Sequence, residues 1–307
     1  MNDAPSEKTG PWSPGISSAI PERYLPLATI YRPENVSTTL QQARELADFT
    51  GLAPHLLMRF RPERLIVHEV LIRVMADLSV PDGKVYEDLG INFRRMVGII
   101  LSKYVAPERA SIVAAFDELC ETARQLFVTQ FEAALTGEST GKEPVAREAD
   151  KGGWLSRLIG GTKAGTAASR TAPKHDSRED ELAARWLAAA TASGDPAETA
   201  AYQSLSRILA AIVGKRGRLV GDAELLSRLA LRDFSNGYGS RFIGEQLTAL
   251  VHTAAHAEGF KVLPAQEKPV IMNVKGASAA GKSTLRPQQK HLTEVLGLDW
   301  TDFALIS

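Results

Sequence analysis

Apolar residues in the first half of the chain recur at steps of three and four. Val67, Val70, Leu71, Val74 and Leu78 make one such stripe, and Ile112, Phe116, Leu119, Ala123 and Leu126 make another. That spacing lays side chains along one face of a helix. Flanking residues supply the starts and stops. Thr38 and Gln41 predict a capping box, Gly51 closes that helix, Pro107 suits a first turn, and Gly137 follows the last periodic residue. About four helices, packed as a bundle, are expected over residues 23–136.

The period dissolves over residues 137–176, a run of small, charged and turn-forming side chains that reads as a linker. Within it "WLSRLIGG" gathers Trp154, Leu155, Leu158 and Ile159. Such a segment can dock on a partner or a membrane surface. Two turns hold lipid too weakly without a second signal, so folding back on its own protein is expected. Residues 1–22 are rich in Pro, Ser and Gly and read as a disordered leader without the apolar core of a secretory signal.

Helical periodicity returns over residues 177–262. Asp195 followed by Pro196 is a start signal, after which Tyr202, Leu205, Leu209 and Ile212 line one face. Asp222 caps a further helix with Leu225, Leu226 and Leu229. "FSNGYGS" reads as a loop before a last helix with Ile243, Leu247 and Val251.

Composition narrows the function classes. The 307 residues are 44% apolar, enough for sizeable cores, and 36 basic side chains balance 36 acidic ones. No whole-molecule field draws the protein to nucleic acid or an anionic membrane, and no apolar run has the length of a membrane span. Cys120 is the single cysteine, which points to a reducing cytoplasm and reads as a small buried hydrophobe. His252 and His256 share a helix face, but the intervening "TAA" has no glutamate and no third ligand is apparent, so a surface helix is the expectation. The basic runs "GKRGR" (Lys215, Arg216, Arg218) and "RFRPER" (Arg59, Arg61, Arg64) lack interleaved aromatics and read as solvated loops.

The chemistry lies near the C-terminus, where residues 263–307 contain "KPVIMNVKGASAAGKSTLRPQQKHLTEVLGLDWTDFALIS". Residues 270–274 form an apolar run suited to a buried parallel strand, "GASAAGKST" matches G-x-x-x-x-G-K-[ST], and a helix to about Leu296 is expected to follow. Gly276 and Gly281 permit backbone angles closed to other residues. Small Ala277, Ser278, Ala279 and Ala280 let successive N–H groups turn in around a phosphate. Lys282 can reach the β- and γ-phosphates of ATP and Ser283 can ligate Mg²⁺, while Thr284 supports the loop. Pro287 stands near the expected second turn of that helix, where it would kink it. A second strand is expected from Phe303 onward. The fold class is therefore mostly α, with helical N-terminal regions followed by the first β-α-β of a P-loop domain, incomplete as it stands.

"GASAAGKSTLRPQQ" running on through "GLDWTDF" into "FALIS" resembles the zeta-toxin type of P-loop kinase, a relative of polynucleotide kinases. The resemblance covers residues 268–307 and implies ATP-dependent phosphorylation of a hydroxyl on a small molecule or nucleotide-sugar. By position it gives Lys282 the transferred phosphate and Ser283 the metal. It places the general base on an aspartate just beyond the second strand; Asp299 and Asp302 precede that strand and are not assigned the role. The chain is accordingly expected to be the N-terminal part of a longer kinase. The alternative is a helical interaction or regulatory protein with a non-catalytic P-loop remnant. In that case the helices before residue 260 would bind a protein partner or restrain the kinase in cis.

Overall fold

The computed structural model describes residues 26–85, 87–137, 177–265, 267–268, 281 and 284–305. The leader, nearly all of the linker with Trp154 and its neighbours, the apolar run at 270–274 and most of the phosphate-loop motif lie outside the described residues. What is described is mostly helical, with no sheet.

Nine α-helices follow in order among the described residues: α1 Leu40–Thr50, α2 Pro62–Asp77, α3 Glu87–Ile99, α4 Ala106–Thr136, α5 Ser177–Ala192, α6 Pro196–Arg216, α7 Ala223–Phe234, α8 Ser240–Glu258 and α9 Leu285–Val295. Two isolated antiparallel bridges, Val36 to Phe60 and Leu78 to Val262, are the extended pairings among the described residues. The residues separate into two compact units, one from Thr29–Glu69 and Pro107–Leu247, the other from the described parts of Met1–Ala28, Val70–Ala106 and Thr248–Ser307.

Local chemistry sets most helix ends. Gly51 terminates α1 at φ 75°, Asp195 caps α6 by accepting from the Ala197 N–H with Pro196 in the first turn, and Asp222 caps α7 by accepting from the Leu225 N–H. Gly137, at φ 83°, follows α4. The capping box of α1 is displaced by one residue from the Thr38/Gln41 expectation. Thr39 and Gln42 form it, because the hydroxyl of buried Thr38 is engaged elsewhere, accepting from the Arg59 N–H (3.2 Å) and from Arg232 Nε (3.3 Å).

Two segments are π-helical, Ile100–Val105 just before Pro107 and Ser235–Gly239, the second in place of an expected loop. Helical angles persist at Ile99 and at Ala106, so Pro107 starts no new helix after a loop. A proline offers no N–H and its ring crowds the carbonyl four residues back; the wider turn, with the Ala106 N–H reaching Leu101 O, takes up that demand. "FSNGYGS" likewise continues the helix. A Cβ on Gly239 would come within 2.7 Å of the Phe116 ring, so only glycine lets α4 pack this close.

The larger unit has an aromatic core. Phe116, Phe127 and Phe131 of α4, Trp186 of α5, Leu205, Leu209 and Ile212 of α6, Phe234 of α7, and Ile243 and Leu247 of α8 are all essentially inaccessible. Phe127 meets Phe234 edge-on at 6.0 Å and Phe131 meets Trp186 at 5.5 Å, the arrangement that opposes ring edge to ring face. Trp186 Nε1 donates to Gln130 (3.0 Å), so the buried indole keeps its hydrogen bond.

The smaller unit is built on Val70, Val74 and Leu78, with Met96 and Ile100 and with Val251, Ala254 and Ala255 of α8. The Leu78–Val262 bridge ties residues 77–79 to 261–263, with Ser79 N–H donating to Lys261 O and Leu263 N–H to Asp77 O, each at 2.8 Å. This places the chain leading toward the phosphate-loop motif against the end of α2.

Candidate phosphate-loop site

Of the residues that the sequence assigns to the site, Gly281 and Thr284 are described; Gly276, Ala277, Ser278, Ala279, Ala280, Lys282 and Ser283 lie outside the described residues. Gly281 has φ 75°, in the left-handed region that a side chain would strain. Its carbonyl accepts twice from Thr284, from the N–H at 3.0 Å and from the hydroxyl at 2.6 Å. The chain then enters α9 at Leu285. Gly281 and Thr284 thus form the closing turn from loop into helix. With its hydroxyl committed to Gly281, Thr284 braces the turn.

Pro287 is the third residue of α9, not part of its second turn. The first N–H groups of a helix have no acceptor within it, so proline costs no hydrogen bond there and does not kink α9. Phe303, Ala304 and Leu305 form no strand; a 3₁₀ turn, Trp300–Asp302, precedes them, and Ile306 and Ser307 lie outside the described residues.

The segment is held by charged side chains that the sequence does not single out. Arg286, in the first turn of α9, pairs with Asp82 at 2.9 Å, and the two side chains are 16% and 12% exposed. Trp300 Nε1 also donates to Asp82 (3.3 Å). The loop carrying Asp82 is itself fixed by α3. Asp88 accepts from the N–H groups of Lys84 (2.7 Å) and Val85 (3.0 Å), and Asn92 Nδ2 donates to Pro81 O (2.8 Å). The Val85 and Lys84 N–H groups hold the Asp88 carboxyl below its ordinary pKa, and Arg286 adds to this. Gly83, at φ 72°, makes room: a Cβ there would lie 2.2 Å from Asp88 Cβ.

A second clamp is Lys261, which pairs with Asp299 (2.8 Å) and Asp302 (2.6 Å) and also donates to the Thr301 hydroxyl. Asp299 caps the 3₁₀ turn by accepting from the Thr301 N–H (2.9 Å). Lys261 and these Thr301 donors hold its carboxyl far below the usual carboxylate range, and Asp299 in turn raises the Lys261 ammonium. Both aspartates are therefore employed in anchoring.

The apolar face of α9 is uncovered. Leu285, Leu292, Val295 and Leu296 are 41–69% exposed, as are Leu298 (51%) and Phe303 (40%) beyond it, while Thr293 is the one buried residue of the helix. In a P-loop fold the corresponding face packs on the central sheet.

The remaining candidates have structural explanations. Cys120 is buried, and burial pushes its thiol up to about 11, away from nucleophilic use. His252 and His256 are exposed on α8, and among the described residues no three potential metal ligands cluster. The basic runs are not merely solvated. Arg216 donates to the carbonyls of Asp48 and Phe49, each at 3.0 Å, and lies over the Phe49 ring at 5.4 Å, so it binds the exposed C-terminal carbonyls of α1. Arg61 Nε donates to Pro33 O (3.1 Å). No helix among the described residues is long and apolar enough to cross a membrane. Comparison of the chain with protein-family models, curated proteins and solved structures finds no match.

Proposed function

We propose that residues 276–284 form a nucleotide phosphate site and that the protein is an ATP-binding P-loop kinase of the zeta-toxin type, one that phosphorylates a hydroxyl of a small molecule or nucleotide-sugar. One observation carries this: the full G-x-x-x-x-G-K-S-T motif, whose last glycine stands at φ 75° in a Thr284-braced turn opening directly into α9. The backbone N–H groups of Gly276 to Gly281 and the N-terminus of α9 would receive the phosphates. Lys282 would neutralise the β- and γ-phosphates and Ser283 would hold Mg²⁺. Bound metal and nucleotide supply the electrophilic phosphoryl group; the chain positions it. The workplace in this reading is a reducing cytoplasm, where ATP is available and the single buried cysteine stays a thiol.

The proposed site is a nucleotide site first, so the decisive measurement is binding. Calorimetry should show Mg-ATP bound by the protein and weakened about tenfold or more in Lys282→Ala, the loss of one charge-assisted contact or more. Absence of Mg-ATP binding, or equal binding by Lys282→Ala, would overturn the assignment.

A regulatory reading has its own support in the Asp82–Arg286 pair, which fastens the first turn of α9, directly after the motif in the chain. If the helices restrain the loop, Asp82→Asn should tighten Mg-ATP binding. Unchanged affinity removes that role and leaves the pair as an anchor.

A further inference from the structure

In the larger unit, α1 and α7 flank a cleft of about 370 Å³ at some distance in sequence from the phosphate loop. Leu46 and Phe49 of α1 and Leu225 of α7 give it apolar walls, with Arg228 and Arg232 one turn apart on α7 and Glu45 facing them from α1. Its size falls in the lower part of the range for small-molecule sites, about 300–1,000 Å³.

Arg232 is the unusual member. Its Nε donates to Thr38 (3.3 Å) and its Nη1 is shut off from solvent, and so from the cleft, without an acceptor; the side chain nevertheless lines the cleft, and no carboxylate among the described residues pairs with it. Burial, with Arg228 and Arg59 nearby, pulls its guanidinium down to about 10. A desolvated charge without a counter-charge is costly, and like charges spaced i, i+4 on a helix add to the cost. Arg228 has a distant partner, Glu224, at 3.9 Å. Glu45 does not come within pairing distance of either arginine and accepts instead from Gln41 (3.0 Å). Phe49 is pinned under Arg216, which adds another cation beside the cleft.

We propose that this cleft binds a small amphiphilic carboxylate, its anionic head on Arg232 and Arg228 and its apolar body on Leu46, Phe49 and Leu225. The charge arrangement favours a monoanion, because Glu45 at the rim opposes a second negative charge. The site is independent of the phosphate loop and stands whether or not that loop binds ATP.

Octanoate tests it, with octanamide as the neutral isostere and octyl phosphate as the dianion. Octanoate should bind the full chain, with octanamide about tenfold weaker or more, since the charge-assisted bonds to guanidinium are lost. Arg232→Met, which keeps the length of the stem, and Arg228→Gln should each weaken octanoate, and Glu45→Gln should tighten it by about threefold. Circular dichroism and thermal unfolding report whether each variant is folded, and Glu45→Gln on the exposed rim serves even if Arg232→Met is not. Equal binding of octanoate and octanamide, tighter binding of octyl phosphate, octanoate affinity unmoved in folded Arg228→Gln and Glu45→Gln, or no octanoate binding below about 10 mM would each overturn the proposal.

Discussion

Helices α7 and α9 are of nearly equal length and carry comparably segregated apolar and polar faces, yet they end in different surroundings. α7 buries Leu226, Leu229, Ala230, Leu231 and Phe234, and Phe234 meets Phe127 edge-on. α9 leaves Leu292, Val295 and Leu296 open and is held by charges, Arg286 to Asp82 at its start and Lys261 to Asp299 and Asp302 just after it. An amphipathic pattern thus specifies a helix and the face that seeks cover. It says nothing of whether a covering element is at hand.

The contrast is sharpest in truncation. Leu226→Ala should cost about 2–5 kcal/mol by urea unfolding, whereas Leu292→Ala should stay within about 0.5 kcal/mol. A similar loss for Leu292 would mean that the face of α9 is covered after all. Gly239→Ala should cost about 1–3 kcal/mol, since the new methyl group must displace the Phe116 ring or unwind the π segment. A neutral result would show that the ring moves freely.

Smaller and more local is the effect of Asp82→Ala, which strips Arg286 and Trp300 of a shared partner. Amide exchange over residues 285–303 should speed up by an amount equivalent to about 1–3 kcal/mol, while α6 and α7 keep their protection. Uniform loss of protection would instead give the pair a global role. Smallest is the acid response of Asp299. Its pKa is depressed by folding, so its contribution is present above the ordinary carboxylate value of 3.8 and is lost as pH falls through the folded value. Chemical shifts of residues 299–303 should therefore stay unmoved through the ordinary carboxylate range near about pH 4 and change only well below it, and in Lys261→Met the transition should return toward that range. Because Asp299 is 58% exposed, solvent screens the pair and little global stability should change.

Sequence reasoning recovered what depends on neighbours in the chain. Gly51, Asp195 with Pro196, and Asp222 mark helix ends because the groups they satisfy are within a turn of them. The helical stripes were legible for the same reason, although burial favours Cys120, Phe127 and Phe131 over Leu119 and Leu126. The failures trace to distant partners. Thr38 is drawn from capping by Arg59 and Arg232, and Arg216, though still exposed, donates to the end of α1. At the candidate site, the motif and the closing glycine could be read from spacing alone, but Asp82 and Lys261 could not, since nothing in "VPDGK" or "GFKVL" points to residues 286 or 299.

The amino-acid order therefore settles the helical character of the protein, most helix boundaries and the phosphate-loop motif, each a matter of torsions and hydrogen bonds spanning a few residues. Folding in three dimensions settles which amphipathic faces find a partner, which cations lose theirs, and how the helix after the motif is held. Those outcomes depend on burial and on charge pairing between residues far apart in the chain, which a local pattern does not encode.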